Sequence, residues 1–243
     1  FKPPFPASFG LYGKPTTINN TETFASVPFI IRDGAASFNQ FGLENNFGTK
    51  LFSVSGHVER PGNYEVPLGT PFSELLEMCG GMKDGKKLKA VIPGGSSAPV
   101  LPADIIMDTT MDYDAISKAG SMLGSGAVIV MDESTCMVKA LERLSYFYFE
   151  ESCGQCTPCR DGNVVLLKGI KALREGRSSV HQLENLLNLA KSICLTSKCG
   201  LGQSSPKALL TISQYFHDEL TRHLIPVQTL NQPVSGHLSE RSR

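Results

Sequence analysis

The sequence predicts an α+β chain of more than one domain, in which a small domain of β-grasp type precedes a bundle of four helices. Within residues 50–132 apolar residues alternate with polar ones or form short continuous runs, which is the pattern of strands. Through residues 134–225 they recur instead at the spacing of an amphipathic helix. With 243 residues, the chain is long enough to bury one or two cores.

Residues 1–45 are rich in Pro, Gly, Asn and Phe and predict loop, apart from one short helix at about 21–32. The apolar residues of this segment have too little sequence around them to form a core of their own. We therefore expect the end of a domain here and not a whole domain. The chain begins with Phe1, without an initiator methionine or a signal peptide, so we expect a processed chain or a fragment of a larger protein.

Four strands are predicted in the next domain, at 51–58, 64–66, 88–92 and 127–131. The turn signature RPGN (60–63) joins the first two strands into a hairpin. A helix follows, with Thr70 as its N-cap, Pro71 in its first position and Gly80-Gly81 as its end. A hairpin, a helix and further strands, in that order, predict a β-grasp domain.

Four amphipathic helices with short connections are predicted after it, which favours a small bundle. They start at about 137, 161, 179 and 205. Ser179 and Gln182 form a capping box at the start of the third helix. The polar tail from about Ile225 predicts disorder. The predicted division is therefore 1–45, 50–132, 134–225 and a disordered tail at 226–243.

The overall composition excludes two classes of function. The formal net charge is zero, with 23 basic and 23 acidic residues, whereas a nucleic-acid partner favours a basic surface. The chain has no run of 18 apolar residues, so it predicts no direct insertion into a membrane. We expect a globular protein that binds no nucleic acid.

Seven cysteines are present, and three of them are clustered. Cys153, Cys156 and Cys159 form a C-x2-C-x2-C pattern in ESCGQCTPCRDG (151–162). A disulfide framework spreads its cysteines over a small secreted domain, whereas clustering indicates metal ligands in a reducing compartment. One short loop with sulfurs at this spacing can hold three corners of a [4Fe-4S] cluster. Gly154 permits the close backbone approach that such wrapping requires.

The cluster needs a fourth thiolate, which the fold must supply from Cys194 or Cys199. We favour Cys199, because the glycines at 200 and 202 open the chain around it into a loop for a bulky cofactor. Cys194 continues the apolar stripe that ends at Ile193, so it has the pattern of a packed small hydrophobe. Both cysteines remain candidates at this point.

An anionic cluster is costly to bury alone, and the sequence offers compensation for its charge. The third ligand stands at the start of the helix predicted at 161–174, where free N–H groups and the helix dipole favour anions. Arg160 and Lys198 add cations next to the third and fourth ligands. Zinc is the alternative metal, but zinc sites usually pair two C-x2-C hairpins or add histidines, and no histidine lies between His57 and His181.

Several of these segments resemble a known family. ESCGQCTPCRDG (151–162) looks like the cluster motif of the flavoprotein subunit that oxidises NADH in respiratory NADH dehydrogenase, and of the matching subunits of NAD(P)-reducing hydrogenases and related formate dehydrogenases. SVSGHVERPGNYEVPLGTPFSEL (53–75) resembles the family's soluble-ligand-binding β-grasp domain, and residues 2–28 resemble the end of its α/β flavin domain. CGLGQSSP (199–206) is more similar to the hydrogenase branch.

The resemblance implies the iron–sulfur electron-transfer part of an NADH-oxidising subunit, in which electrons pass from NADH to FMN, to [4Fe-4S] and on to partner iron–sulfur centres. FMN and NAD(H) are expected in the full-length subunit, with Asn19, Asn20 and Thr23 at the flavin edge. The implied partners are a small [2Fe-2S] subunit of thioredoxin-like fold and a larger iron–sulfur subunit. The implied location is the cytoplasm or the matrix of a mitochondrion or hydrogenosome, peripheral to a membrane complex.

One departure from the family limits this expectation. The family's glycine-rich flavin and nucleotide loops have no equivalent in residues 1–243, so we expect this chain alone to bind FMN and NADH weakly or not at all. The competing hypothesis is a non-catalytic scaffold or adaptor module, in which the cluster holds the helices together. A third hypothesis is a zinc-stapled interaction module.

Overall fold

The computed structural model describes residues 3–225. In that range the strands are β1 (Gly42–Leu43), β2 (Asn46–Phe47), β3 (Thr49–Gly56), β4 (Gly62–Pro67), β5 (Leu88–Ile92), β6 (Leu101–Pro102) and β7 (Ala127–Asp132). The α-helices are α1 (Thr21–Asp33), α2 (Ala35–Phe38), α3 (Phe72–Met78), α4 (Ala103–Met107), α5 (Tyr113–Lys118), α6 (Met137–Glu151), α7 (Thr157–Arg174), α8 (Val180–Thr196), α9 (Gly200–Ser204), α10 (Lys207–Tyr215) and α11 (His217–Thr221). This content confirms the predicted α+β class.

The disordered tail predicted at 226–243 lies outside the described residues. None of the helices within residues 3–225 combines the length and the hydropathy needed to cross a bilayer.

The N-terminal segment is organised around α1, as predicted. Asn20 caps this helix, because its Oδ1 accepts the N–H of Glu22 at 2.8 Å. The Glu22 carboxylate also binds Lys50 Nζ at 2.8 Å and the N–H of Leu51 at 3.0 Å, which fastens the helix to β3. No residue of α1 is fully buried. The helix α2 and the β1-β2 hairpin escape sequence prediction, because they are too short to show a periodic pattern.

All four predicted strands are present in a five-stranded sheet of order β4-β3-β7-β5-β6. Strands β3 and β4 form the predicted antiparallel hairpin, with Phe52 opposite Tyr64. Strand β7 pairs in parallel with β3 and antiparallel with β5, so it lies at the centre. Alternation along β3 buries Phe52 and Val54 and exposes Leu51 and Ser53.

The start of α3 differs from the prediction. Pro71 occupies the N-cap position, and no side-chain hydrogen bond caps the helix. Thr70, the predicted N-cap, instead donates from its Oγ1 to the carbonyl of Pro67 at 2.8 Å. Its hydroxyl therefore stabilises the turn after β4. The predicted helix end is confirmed, since Gly80 and Gly81 follow the helix with φ of 81° and 79°.

The sheet is buried on both faces at its centre. On one face Phe52, Val91 and Val130 belong to a core that α3, α4 and α5 close. On the other face Ala90 and Ile92 belong to a second core, built mainly from α6, α7, α8 and α10. The helical region therefore packs against the sheet, and the two cores share β5 and β7.

The helical region differs from the prediction at two places that determine the site. Helix α7 begins at Thr157, earlier than predicted, with Cys156 as its N-cap. The predicted fourth helix, from about 205, is divided into α10 and α11. The predicted loop after Cys199 is instead the short helix α9, with Cys199 as its N-cap. The capping box of Ser179 and Gln182 is present, as predicted.

A buried carboxylate lies where β7 leads into the helical region. Asp132 ends β7 and is 2% exposed. Its Oδ1 accepts the hydroxyl of Ser134 at 2.6 Å, and its Oδ2 lies 3.1 Å from Lys86 Nζ. The hydrogen bond from Ser134 and the Lys86 ammonium hold the pKa of Asp132 well below its usual range, although burial acts in the opposite direction.

We expect Asp132→Asn to reduce the free energy of unfolding at neutral pH, and the deficit to shrink on acidification. The folded state lowers this pKa, so the ionised carboxylate stabilises the fold above the ordinary aspartate pKa of about 4 and loses that effect as the pH falls below it. Urea unfolding of both chains at about pH 7 and about pH 3 measures the change. Asp108→Asn, at an exposed carboxylate, is the matched control. An equal deficit at both pH values contradicts the prediction.

Candidate metal centre

The connection between α6 and α7 contains the three clustered cysteines. Cys153 is exposed in the connection itself, Cys156 is the N-cap of α7, and Cys159 lies in the first turn of that helix. Gly154 has a φ of 74°, which allows a sharp turn between the first two cysteines. The cysteines therefore surround the N-terminal end of an 18-residue helix, where free N–H groups and the helix dipole favour negative charge.

Cys159 is the buried member of the three, with 5% of its surface exposed. Ser152 Oγ lies 3.2 Å from its sulfur, and Asn163 Nδ2 donates to the same sulfur at 3.3 Å. Sequence reasoning missed both neighbours. A signal was present for Asn163, because it is a polar residue on the buried, otherwise apolar face of α7 and lies one turn after Cys159.

Cys156 connects this turn with the segment that contains Cys199. The backbone N–H groups of Lys198 and Cys159 donate to its sulfur and hold the pKa of the Cys156 thiol below its ordinary value, while desolvation acts in the opposite direction. The Lys198 ammonium adds a smaller effect in the same direction as the hydrogen bonds. Because Lys198 directly precedes Cys199, these bonds place the Cys199 segment beside the N-terminal end of α7.

Gly202 packs closely against Cys159. A Cβ atom at Gly202 would come within 3.1 Å of Cys159 Cβ and 2.7 Å of Ser197 Oγ, so glycine is required by close contact. Cys199 is exposed at the N-cap of α9. Among the described residues, Ser197 Oγ is buried and has no hydrogen-bond partner. A buried polar atom without a partner indicates a site for a further polar or anionic group, which would supply the missing contact.

The remaining cysteines have different surroundings. Cys194 lies within α8, partly buried, and burial raises the pKa of its thiol. A raised pKa disfavours the thiolate form that metals bind. Cys79 is fully buried in the core on the α3 side of the sheet, and Cys136 is the partly buried N-cap of α6.

The side chains are not gathered as a single metal ion requires. Within residues 3–225 no group of three or more His, Cys, Asp or Glu side chains is placed to hold an ion. A tetrahedral zinc ion, with Zn–S bonds of about 2.3 Å, would bring its sulfurs to roughly 4 Å from one another. The structure brings Cys156 and Cys159 together with N–H, amide and hydroxyl donors, and leaves Cys153 and Cys199 exposed beside them. This donor set fits an anionic, sulfur-ligated group.

The residues expected at a flavin edge lie at the start of α1. Asn20 caps α1 and lines an open groove of about 810 Å³ between α1, α2 and the exposed face of β3. Asn19 Oδ1 accepts the N–H of Asn20 at 2.9 Å, and Thr23 is exposed on α1. The structure thus brings Asn20 to the groove, whereas Asn19 and Thr23 do not line it.

Two family models match the two regions of the fold. Residues 51–101 match the SLBB domain, and residues 139–223 match the NADH-ubiquinone oxidoreductase-F iron-sulfur binding region. The second match contains all the cysteines of the candidate site. The chain therefore contains a segment similar to SLBB domains, followed by a segment similar to that iron-sulfur binding region.

Curated relatives match over most of the chain. An F subunit of the NADH-quinone oxidoreductase of Rhizobium meliloti is 46% identical over 225 residues, which cover 92% of this chain and 52% of the relative. The F subunit of the same enzyme in Mycobacterium tuberculosis is 47% identical over 223 residues, which cover 92% and 50%. The chain is a homologue of the F subunits of NADH-quinone oxidoreductase, and it spans about half the length of the curated relatives it matches.

A solved structure shows the same fold. A chain in the crystal structure of NAD+-reducing [NiFe]-hydrogenase in the H2-reduced state superposes with a TM-score of 0.82 at 30% sequence identity, and the match covers 93% of this chain and 38% of that one. The predicted resemblance to subunits of both NADH dehydrogenases and NAD(P)-reducing hydrogenases is therefore confirmed.

Proposed function

We propose that this chain is the iron–sulfur electron-transfer part of an NADH-oxidising flavoprotein subunit of respiratory or hydrogenase type. In this proposal Cys153, Cys156, Cys159 and Cys199 hold a [4Fe-4S] cluster. The observation that carries it is the packing of Gly202 against Cys159, where an added Cβ would come within 3.1 Å of Cys159 Cβ. It joins a C-x2-C-x2-C turn to a second cysteine-containing segment that follows only after α7 and α8.

The surroundings of the cysteines favour thiolates. Cys156 has a lowered thiol pKa, and the N-terminal end of α7 supplies positive potential. Arg160 lies close by, since its Nη1 donates to the carbonyl of Gly154 at 3.3 Å. When bound, the cluster supplies a centre that accepts and releases one electron at a time. The chain's own residues would ligate its irons through the cysteine sulfurs, balance its charge and exclude water from the Cys159 side.

Cys199 is the better candidate for the fourth ligand than Cys194. The exposed Cys199 follows directly on the Lys198 N–H that contacts Cys156. Cys194 lies within α8, where burial raises the pKa of its thiol and disfavours the thiolate.

The relatives extend the proposal beyond this chain. We propose that FMN and NAD(H) act in the full-length subunit, with Asn19, Asn20 and Thr23 at the flavin edge and the groove beside Asn20 facing that part. Electrons then leave to iron–sulfur centres of partner subunits, namely a small [2Fe-2S] subunit of thioredoxin-like fold and a larger iron–sulfur subunit. The complex is placed in the cytoplasm or an organelle matrix, at the periphery of a membrane assembly.

The domain division belongs to the same proposal. Residues 50–132 form a β-grasp domain, which the β3-β4 hairpin, α3 and the parallel β3-β7 pair support. Residues 134–225 form a helical cluster domain of four-helix bundle type, which the shared core of α6, α7, α8 and α10 supports. Residues 1–45 are the end of a flavin domain.

We expect anaerobic reconstitution of the purified chain with ferrous iron and sulfide to load about four iron and four sulfide per chain. The product is brown and gives an EPR signal after reduction with dithionite. Cys156→Ser, treated in parallel, is expected to remain colourless. Stoichiometric zinc uptake without sulfide, in a protein that rejects iron, would overturn the proposal.

A further inference from the structure

We propose that Asn163 and Ser152 are positioning residues that raise the reduction potential of the cluster through two hydrogen bonds to the Cys159 sulfur. The inference rests on the proposed function, because it requires Cys159 to be a cluster ligand. Neither residue is one of the proposed cysteine ligands, and each reaches the sulfur from a different element, Asn163 along α7 and Ser152 from the connection after α6.

Asn163 occupies a place where its amide needs a partner. It is 2% exposed and lies on the buried face of α7, where its neighbours on the same face are apolar. Asparagine is a poor helix former, and an unpaired amide at such a place destabilises the fold. Its Nδ2 donates to Cys159 Sγ at 3.3 Å. At this buried helical position a leucine would stabilise the fold more than an asparagine. The hydrogen bond to the Cys159 sulfur accounts for the asparagine.

The hydrogen bonds of Ser152 determine which atom is the donor in its contact with Cys159. Its Oγ accepts the N–H of Gly154 at 3.3 Å. Its single hydroxyl hydrogen is therefore free to point at Cys159 Sγ, 3.2 Å away. A cluster-bound thiolate has no hydrogen to donate, so in the loaded site Ser152 is the donor and the sulfur the acceptor.

Both hydrogen bonds act on the reduced form more than on the oxidised form. One-electron reduction adds a negative charge that the cysteine sulfurs share, with no bond formed or broken at this chain's residues. Donors to those sulfurs then gain strength, and reduction becomes more favourable. Loss of either donor lowers the reduction potential.

The test compares reconstituted variants of the full chain by EPR-monitored titration with dithionite and redox mediators. Asn163→Leu removes one donor and keeps the number of side-chain heavy atoms, and Ser152→Ala removes the other donor with little change in side-chain volume. Each is expected to shift the midpoint potential to a more negative value, so that the ratio of reduced to oxidised cluster at a fixed potential falls about fivefold. The double variant is expected to shift further than either single variant.

Two substitutions serve as matched controls. Ser152→Thr keeps the hydroxyl, and Asn188→Leu makes the same asparagine-to-leucine exchange at an exposed position of α8. Both are expected to keep the midpoint potential of the unaltered chain.

The outcomes separate this inference from the proposed function. An unaltered chain that takes up no iron and sulfide overturns the proposed function. If it loads normally, unchanged potentials in Asn163→Leu and Ser152→Ala overturn the inference. Loss of iron from both variants, with helical circular dichroism retained, also overturns it, because the two residues would then be needed for binding and not for the potential.

Discussion

Cys199→Ser is expected to abolish cluster binding, whereas Cys194→Ser leaves about four iron per chain. The Lys198 N–H bonds to the Cys156 sulfur, and Gly202 packs against Cys159, so the segment around Cys199 lies over the other cysteines. A serine hydroxyl is a far weaker ligand than a thiolate, and three cysteines alone leave one iron without a protein ligand. Iron and sulfide content after anaerobic reconstitution measures the effect.

Cys79→Ala provides the background for this comparison, because Cys79 lies in the core on the other side of the sheet. It is expected to keep normal iron and sulfide content. The opposite result for the two serine variants, with iron lost from Cys194→Ser and kept in Cys199→Ser, would exchange the ligand roles of the two cysteines.

Gly56→Ala is expected to lower the free energy of unfolding by about 4 kcal/mol, from strain and overlap together. Gly56 has a φ of 92° at the end of β3, a conformation that alanine avoids. An added Cβ would also overlap the carbonyl oxygen of Val130, its partner in β7. The backbone of the central strand cannot move without disturbing both cores. Urea unfolding, followed by circular dichroism, measures the loss.

Gly62→Ala is the matched control in the same sheet. A Cβ at Gly62 would find its nearest neighbour at 3.7 Å, a ring carbon of Tyr64, and its φ lies outside the left-handed range. We expect a change within about 0.5 kcal/mol. A similar loss of unfolding free energy in both variants would contradict this explanation. The sheet would then tolerate no side chain at either glycine, and backbone overlap would not be the cause of the loss in Gly56→Ala.

Elements with strong local patterns could be predicted from the sequence. The hairpin of β3 and β4, the buried strand β7 and the capping box at Ser179 are all present because each depends on neighbouring residues. The predicted start of α7 is too late, although Pro158 in its first turn is a signal for an earlier start. The predicted N-cap of α3 is wrong because Thr70 bonds backward to Pro67.

The candidate site could be predicted only in part. The spacing of Cys153, Cys156 and Cys159 indicates a metal motif without any knowledge of the fold. The glycines after Cys199 predict an open loop, whereas Gly202 is needed for close packing within a helix. The contact from Asn163 follows from its place one turn after Cys159 in α7. The contacts from Lys198 and Ser152 to sulfur depend on how separate segments pack, and no local pattern specifies them.

Strand β7 stands between β3 and β5, yet it is the last of the three to leave the ribosome. The β3-β4 hairpin can form early, but the inner edge of β3 then has no partner until residues far along the chain arrive. Such distant pairing costs loop-closure entropy before it gains contacts, so it is slow. Until β7 pairs with β3, the nascent chain exposes an open strand edge and an incomplete core. The chain is therefore most prone to aggregate during this stage of its synthesis.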